Sequence, residues 1–266
     1  MIDVRDLAVT YPGTAHRALA GITLSARRGE VTAVVGPNGS GKSTLVRALL
    51  GRVPVQAGSI SIDAKPLAEW KPLERARRLA VIPQREESAF SLTVREYVGL
   101  SRYVHRSSWM GERPEDRTAV QAALQAAGVA ELADRRTDAV SGGEWQRARI
   151  ARALAQATDA LVLDEPTTFL DIAHEMAVFE LLHDLALGGK AILLVSHQLN
   201  LVARFAHRMV LLHEGHVIAS GSVGDVMQAA VLERVYAWPV VITRDPAVGA
   251  PTLVPLRSGR VRSPGK

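Results

Sequence analysis

Short apolar runs separated by helix-like segments dominate the pattern of hydrophobic and polar positions along this chain. Apolar runs without polar interruption are typical of strands buried on both faces. Helical patterns lie between many of the runs, which predicts a largely parallel sheet covered by helices. The first ~25 residues have no helix between their runs, so those strands are predicted to be antiparallel. The runs are Ile2–Val9, Ile22–Ser25, Val31–Val35, Ser59–Ile62, Leu79–Ile82, Ala160–Leu163, Ala191–Val195, Met209–Leu212 and His216–Ala219.

The stretch from residue 85 to residue 156 differs, because helical patterns replace the strands. Helix-rich sequence inside an α/β frame indicates an inserted helical subdomain. The best predicted helices in it are Thr93–Arg102, Glu115–Ala127 and Glu144–Gln156.

Two further helical patterns lie nearer the C-terminus. One predicts a helix with a single buried face, because apolar residues recur at helical spacing. The other predicts one helix over Val223–Tyr236, which is followed by a Pro-rich tail. The residues of the predicted buried face are Ile172, Met176, Phe179, Leu182 and Leu185.

Composition sets limits on the class of protein. A length of 266 residues with 47% hydrophobic residues suits one large α/β domain, or one such domain with an insertion. The absence of cysteine excludes disulfides and cysteine-based sites. No apolar run approaches the ~18 residues that span a bilayer, and we expect no secretion signal at the N-terminus. The net charge of +5 is concentrated after residue 243, where five basic residues accompany one acidic residue. A solvated tail is favoured over contact with acidic lipid or RNA.

Residues 36–43, Gly-Pro-Asn-Gly-Ser-Gly-Lys-Ser, match the phosphate-binding loop pattern G-x-x-x-x-G-K-[ST]. The loop lies between the predicted strand Val31–Val35 and a predicted helix, Thr44–Leu50. Its glycines permit a tight turn whose backbone N–H groups, with the helix dipole, can hold phosphates. Lys42 can reach the terminal phosphates, and the Ser43 hydroxyl is placed to bind Mg²⁺. A Gly-rich turn without function is the alternative. The predicted nucleotide-binding residues are Gly36, Pro37, Asn38, Gly39, Ser40, Gly41, Lys42, Ser43 and Thr44.

Residues 160–165 form an apolar strand that ends in two acidic residues. Asp164 at the strand tip can hold Mg²⁺ through water. Glu165 points in a different direction, and it is a candidate to orient or deprotonate the attacking water. An acidic pair at an ordinary strand end is the alternative, but the phosphate-binding loop upstream favours the catalytic interpretation.

The segment 140–147, Val-Ser-Gly-Gly-Glu-Trp-Gln-Arg, narrows the chemistry further. It resembles the signature motif of the ABC transporter ATPases, and the resemblance covers nearly the whole chain with the motifs in the family's order. In that family the serine and glycines open a helix whose N-terminus binds the γ-phosphate of ATP held by the other subunit. Val140 and Glu144 replace the usual Leu and Gln. The resemblance assigns this contact to Ser141, Gly142, Gly143 and Glu144.

The resemblance also implies roles for residues whose patterns are weaker by themselves. Gln84 fits the loop glutamine that contacts Mg²⁺ and the attacking water and couples the site to the helical subdomain. His197 fits the switch histidine that contacts the γ-phosphate. Tyr11 fits the aromatic residue that stacks on adenine. Asp171 fits the loop aspartate that crosses the dimer, although the three residues before it depart from the commoner Ser-Ala-Leu.

A homodimer follows from the resemblance, because two copies would sandwich two ATP molecules between the Lys42 side of one and the Ser141 side of the other. With no membrane span in the chain, the implied partners are two copies of a permease subunit and, indirectly, a substrate-binding protein. We expect the chain at the cytoplasmic face of the inner membrane as a peripheral protein, and we expect no nucleic acid partner.

Three stretches resemble importers of iron–siderophore complexes, haem and cobalamin, namely Leu92–His105, Glu165–His174 and Val231–Tyr236. They imply an ATP-hydrolysing subunit that powers import of such a metal chelate. The nearest alternative is the ATPase of another importer or of an exporter. Soluble ABC ATPases of ribosomes resemble two fused units, and DNA-repair ATPases carry long heptad coiled coils that this sequence lacks between its nucleotide motifs.

The predicted architecture is an α/β phosphate-loop NTPase (RecA-like) core with an antiparallel β-subdomain and an inserted helical subdomain. Residues 1–84 and 157–221 are assigned to the nucleotide-binding core. Residues 85–156 are assigned to the helical subdomain with the signature motif. Residues 222–266 are assigned to a C-terminal helix and the Pro-rich basic tail.

Overall fold

The computed structural model describes residues 1–14, 17–84, 86, 90–106, 111–168 and 170–257. The tail residues Arg260, Arg262 and Lys266 lie outside the described residues. The strands are β1 (Ile2–Thr10), β2 (Arg17–Ala26), β3 (Val31–Val35), β4 (Ala57–Ile62), β5 (Lys65–Pro66), β6 (Leu79–Ile82), β7 (Ala160–Asp164), β8 (Ala191–Val195), β9 (Arg208–His213), β10 (His216–Gly221), β11 (Val240–Arg244) and β12 (Pro251–Pro255).

Helices connect most of these strands. Short 3-10 helices cover Leu67–Glu69, Leu100–His105, Ala130–Leu132 and Thr137–Ala139. The α-helices are α1 (Lys42–Leu49), α2 (Pro72–Ala76), α3 (Val94–Gly99), α4 (Pro114–Ala126), α5 (Gly142–Ala155), α6 (Ile172–Leu187), α7 (Leu199–Phe205), α8 (Val223–Val226) and α9 (Ala229–Tyr236).

The central sheet has the strand order β10-β9-β3-β8-β7-β6 in the described part of the chain, and its neighbours are parallel except for β10 and β9. Strands β3, β7 and β8 are buried at every position, because their apolar residues are covered on both faces. Parallel pairing brings their carboxyl ends to one edge, where Val195 pairs with both Val34 and Asp164. The loops that carry Gly36, Glu165 and His197 leave from this edge.

The two faces of the central sheet pack into two hydrophobic clusters. Val31 and Val35 share one cluster with Phe179 of α6. Val34 points to the other face and packs with Leu45 of α1. This second cluster is completed by an antiparallel sheet in the order β2-β1-β4-β5, as the start of the sequence predicts.

Helices α3, α4 and α5 lie between β6 and β7 in the chain and form a helical unit with a hydrophobic cluster of their own. Val94, Leu124 and Ala151 are buried in it. The parallel sheet, the antiparallel sheet and this inserted helical unit together confirm the predicted fold class. The residue boundaries of the three assigned parts stay predictions.

Two predicted helices are broken in the structure. The helix predicted over Thr93–Arg102 is α-helical only to Gly99, a poor helix former, and continues as a 3-10 helix. The helix predicted over Val223–Tyr236 is divided into α8 and α9. The break at Met227 allows two successive residues, Val226 and Met227, to be buried in the core.

The Pro-rich tail forms a β-hairpin of β11 and β12 that the sequence analysis missed. Its prolines Pro251 and Pro255 stand at the two ends of β12, where a missing N–H is tolerated. Ile242 and Leu253 pair across the hairpin and pack against the main core. Tertiary packing therefore decides the structure of this segment.

The predicted buried face of α6 is wrong at its first residue. Phe179 and Leu182 are fully buried as expected, but Ile172 is 80% exposed. Ile172 is the first helical residue after the N-cap Asp171, and the apolar stripe leaves the core at this end of the helix.

Candidate nucleotide site

The phosphate-binding loop adopts a conformation that requires its glycines. Gly36, Gly39 and Gly41 have φ angles of 149°, 80° and 104°. A Cβ atom on Gly36 would collide with the carbonyl oxygen of Leu212, and one on Gly41 would lie 2.6 Å from the carbonyl oxygen of Ala18. The sequence therefore folds into a tight turn that leads directly into α1.

Lys42 lies inside this loop with its amine on the backbone. Its Nζ donates to the carbonyl oxygens of Gly36 at 2.8 Å and Pro37 at 2.9 Å. Burial lowers the pKa of Lys42, and the nearby Glu165 and Asp164 carboxylates oppose that shift. The amine is therefore held in the centre of the loop beside two acidic groups.

A cavity of 260 Å³ opens beside the loop. Ser40 at the base of the loop is buried, and its hydroxyl has no hydrogen-bond partner among the described residues. Six of the nine described residues that line the cavity have polar or charged side chains, which suits a phosphate ligand. The cavity is lined by Ala18, Asn38, Gly39, Gly41, Lys42, Ser43, Thr44, Gln84 and Glu165.

Asp164 ends β7 and is 5% exposed. Burial raises the pKa of Asp164, while a hydrogen bond with Ser43 acts in the opposite direction. Its Oδ1 atom has no partner in the described part of the chain. A buried carboxylate oxygen without a partner, next to a serine hydroxyl, fits the oxygen ligands that Mg²⁺ prefers.

Glu165 is the point where the three catalytic candidates meet. Its φ of 50° is unusual for a residue with a side chain, and its N–H donates to the Val195 carbonyl at 2.9 Å. The Glu165 Oε2 atom lies 3.1 Å from Gln84 Nε2 and 3.1 Å from His197 Nδ1. The Thr168 hydroxyl lies 3.4 Å from the same oxygen. The left-handed backbone turns this carboxylate away from the end of β7 and towards the two loops.

Tyr11 lies next to the start of α1. Its hydroxyl is 3.3 Å from Thr44 Oγ1 and accepts a hydrogen bond from Arg47 at 3.1 Å. The structure thus brings Tyr11 to the start of α1, directly after the predicted phosphate-binding loop. Its contact with adenine stays a prediction.

The signature residues lie at the start of α5. Ser141 is the N-cap, its hydroxyl accepts from the Glu144 N–H at 3.3 Å, and its own N–H donates to Glu144 Oε2 at 2.7 Å. A Cβ on Gly142 would meet nothing within 4 Å. None of these residues lines the cavity beside the phosphate-binding loop.

Asp171 belongs to the segment that packs beside the signature glycine Gly143, and it does not line the cavity. A Cβ on Gly143 would lie 3.5 Å from Leu170 and 3.8 Å from His174. The Asp171 carboxylate accepts from the His174 N–H at 2.9 Å and contacts His174 Nδ1 at 2.7 Å. The predicted site residues therefore fall into two groups, one around the cavity and one on an open surface.

Three residues around the Gln84 segment, Glu86, Arg149 and Arg152, are not among the predicted site residues. Glu86 forms ion pairs with Arg149 and Arg152 of α5, and the Arg149 guanidinium also donates to the carbonyl oxygen of Pro83. The two arginines stand three residues apart on a helix whose neighbouring positions are small or apolar. That polar stripe in a buried helix was the available signal.

Comparison with known protein families identifies the chain. The ABC transporter family model matches residues 19–168. The hemin import ATP-binding protein HmuV of Nocardia farcinica is 41% identical over 248 residues, which cover 92% of this chain and 85% of that protein. The ferric enterobactin transport ATP-binding protein FepC of Escherichia coli is 39% identical, covering 88% and 87%.

Solved structures give the same result. One is an inward-facing metal-chelate type ABC transporter, with a TM-score of 0.84, 26% identity, and coverage of 97% of this chain and 98% of that one. Another is a dimeric bacterial ABC transporter cassette, with a TM-score of 0.75, 28% identity, and coverage of 84% and 99%. The chain therefore belongs to the ABC transporter family, as an ATP-binding subunit that hydrolyses ATP to power transport.

Proposed function

We propose that this chain powers the import of a metal chelate, an iron–siderophore complex, haem or cobalamin, as a homodimer beneath a separate permease. The division of the site residues into two groups supports the homodimer in this proposal. One chain offers a phosphate-binding cavity, and the signature that would close it lies on an open surface elsewhere. Two copies placed head to tail would complete two sites.

Within one copy, the loop amides and Lys42 would bind the phosphates of ATP. Ser43, Asp164 and Gln84 would hold Mg²⁺, which when bound neutralises charge on the phosphate oxygens. Glu165 Oε2 would accept a proton from the attacking water. His197 Nδ1 lies 3.1 Å from the same Glu165 oxygen, and His197 would contact the γ-phosphate.

Across the dimer, the N-terminus of α5 would bind the γ-phosphate held by the other copy. Ser141 and Gly142 are exposed there, as that contact requires. Asp171 lies beside them and would cross to the partner. Because ATP would contact both copies, it would favour the closed dimer, and hydrolysis would release it.

A second exposed surface fits a permease. Arg77, the C-cap of α2, donates to the Val104 carbonyl at 2.5 Å, which joins the end of α2 to the 3-10 helix Leu100–His105. Large apolar side chains on these two elements, Leu73 and Tyr103, are 49% and 62% exposed. Apolar surface of this kind is typical of protein–protein contacts. Among the described residues, no helix has the length and apolarity to cross a membrane.

The names of the relatives support the cargo class. They include hemin, ferric enterobactin and iron(3+)-hydroxamate import or transport proteins. We place the chain at the cytoplasmic face of the inner membrane as a peripheral subunit, with a substrate-binding protein as an indirect partner. Cargo selection would belong to that protein and to the permease.

Affinity purification of tagged Glu165→Gln from ATP-treated, detergent-solubilised membranes tests this proposal. Mass spectrometry should find a many-helix permease, whose removal from cells should abolish uptake of one metal chelate. Recovery of only ribosomes, nucleic acid or soluble proteins would contradict the transporter assignment. A permease whose removal leaves chelate uptake intact would contradict the cargo, in favour of another importer or an exporter.

A further inference from the structure

Helix α5 carries a polar stripe that the proposed function leaves unused. Trp145, Arg149 and Arg152 are spaced by four and three residues, so they lie on one face of the helix. Each of them contacts Pro83, the residue before Gln84, or Glu86, which stands two residues after it. The stripe therefore holds the segment that carries a catalytic candidate.

Glu86 is the centre of these contacts. Its carboxylate lies 2.6 Å and 2.9 Å from the two terminal nitrogens of Arg152, and 3.6 Å from Arg149 Nε. Tyr97 of α3 donates its hydroxyl to the same carboxylate at 3.1 Å. The backbone carbonyl of Glu86 accepts the Trp145 indole N–H at 3.0 Å. One residue is thus fixed through both its side chain and its backbone.

The surroundings make this arrangement rigid. The Arg152 guanidinium lies 4.9 Å above the Tyr97 ring, and the Tyr97 and Trp145 rings are 4.5 Å apart. The Arg149 side chain is 5% exposed and that of Glu86 is 19% exposed. Buried ion pairs add little net stability, but they strongly penalise the loss of one partner. Such a network is suited to holding a geometry.

The network connects two parts of the catalytic machinery. Gln84 stands two residues before Glu86, and its amide reaches Glu165 at 3.1 Å. Trp145 lies about one turn after Ser141 on the same helix. We infer that Glu86 is a positioning residue that fixes Gln84 to the signature helix. Given the proposed dimer, ATP bound by Ser141 of one copy would then set the position of Gln84 in that same copy, and the two sites would be coupled.

Steady-state ATP hydrolysis by the purified full-length chain tests this inference. Glu86→Gln removes the charge from the network. Trp145→Phe removes the indole N–H, and it keeps a smaller aromatic ring beside Tyr97. Asp134→Asn is the matched control, because its ion pair with Arg95 lies in the same helical unit but is exposed and includes neither Glu86 nor its partners. We expect kcat to fall by about 10- to 100-fold in Glu86→Gln and less in Trp145→Phe. The KM for ATP should stay within about twofold, since the phosphate-binding loop is unchanged.

A double variant separates positioning from folding. Glu86→Gln leaves the buried Arg149 without its anion and should lower the melting temperature, and Glu86→Gln with Arg149→Met should restore it. We expect kcat to stay low in this double variant, because the hydrogen bond from Arg149 to the Pro83 carbonyl is lost as well. Recovery of kcat together with the melting temperature would overturn the inference. So would a control-like kcat in both Glu86→Gln and Trp145→Phe. The assay contains no permease or chelate, so a wrong cargo assignment would leave all these values unchanged.

Discussion

The phosphate-binding loop and the signature segment are both glycine-rich helix starts, yet the protein builds them differently. The loop is closed around Lys42, which is 6% exposed, and Gly36 is pressed against the backbone of Leu212. The signature is open, since Gly142 has free space where a side chain would be. Its capping box satisfies the N–H groups of Ser141 and Glu144.

This difference indicates whether each segment would act in a single chain or only in an assembly of two chains. A closed loop with a buried amine is organised for phosphate before any ligand arrives. An open helix N-terminus with its own cap is stable alone and becomes an anion site only when a ligand is brought to it. Changes in the loop should therefore damage binding within one chain, whereas changes at the signature should damage only the assembly of two chains.

Lys42→Ala gives the largest expected effect on the closed segment. We expect ATP binding to weaken by about 10- to 150-fold, because hydrogen bonds to a charged group contribute about 1.5–3 kcal/mol. Lys190→Ala is the matched control, since its half-buried amine also donates to a backbone carbonyl, that of Thr158 at 2.6 Å. Isothermal titration with ATP checks the prediction, and equal affinities in the two variants would contradict it.

Glu165→Gln should separate chemistry from binding. The amide cannot accept the proton of water, so hydrolysis should fall by about 10²- to 10⁴-fold while ATP binding is retained. Size-exclusion chromatography with ATP should then show an accumulated dimer. Glu180→Gln, an exposed carboxylate of α6, should hydrolyse ATP normally. Hydrolysis by Glu165→Gln at the rate of this control would show that another group accepts the proton.

Gly142→Asp tests the open segment. The Cβ meets no atom within 4 Å, and an acidic residue at a helix start is favourable, so the melting temperature should not fall. A carboxylate facing the γ-phosphate should nevertheless weaken ATP-driven dimerisation of the Glu165→Gln background by about 100-fold or more. ATP binding to the single chain should be unchanged.

Gly111→Asp is the control, because this glycine also has open space and no left-handed φ. Analytical ultracentrifugation with ATP compares the two. Normal dimerisation of Gly142→Asp would mean that the signature surface does not receive the partner's ATP.

The sequence alone predicts the bounds of an element correctly where its local hydrophobic pattern agrees with its burial in the fold. Strands Val31–Val35 and Ala191–Val195 have the predicted bounds, because continuous apolar runs are buried on both faces. The hairpin at the C-terminus could not be predicted, since Leu253 takes its place through packing against distant core residues. The site shows the same division. Motif residues are local in sequence, whereas Glu86 meets Arg152 from 66 residues away.

Glu144→Gln should give the smallest effect and the sharpest test of the open segment. A hydrogen bond from the Ser141 N–H lowers the pKa of Glu144, so the carboxylate is charged at neutral pH. Glutamine can keep the capping box but removes a negative charge beside the surface that would receive the γ-phosphate. We expect ATP-driven dimerisation in the Glu165→Gln background to strengthen by about fivefold, the effect of one unit charge near another in water.

Two further measurements, one at high salt and one on a second capping box, show whether the effect of Glu144→Gln on dimerisation is electrostatic. At 1 M salt the Debye length is about 3 Å, so the gain from Glu144→Gln should largely vanish. Asp225→Asn is the matched control, since Ser222 and Asp225 form the same capping box at the start of α8, with an N–H to carboxylate distance of 2.8 Å. Dimerisation should not respond to that change. A salt-independent gain, or an equal gain in Asp225→Asn, would locate the effect in helix capping, and the charge of Glu144 would then have no part in how the open signature surface receives ATP.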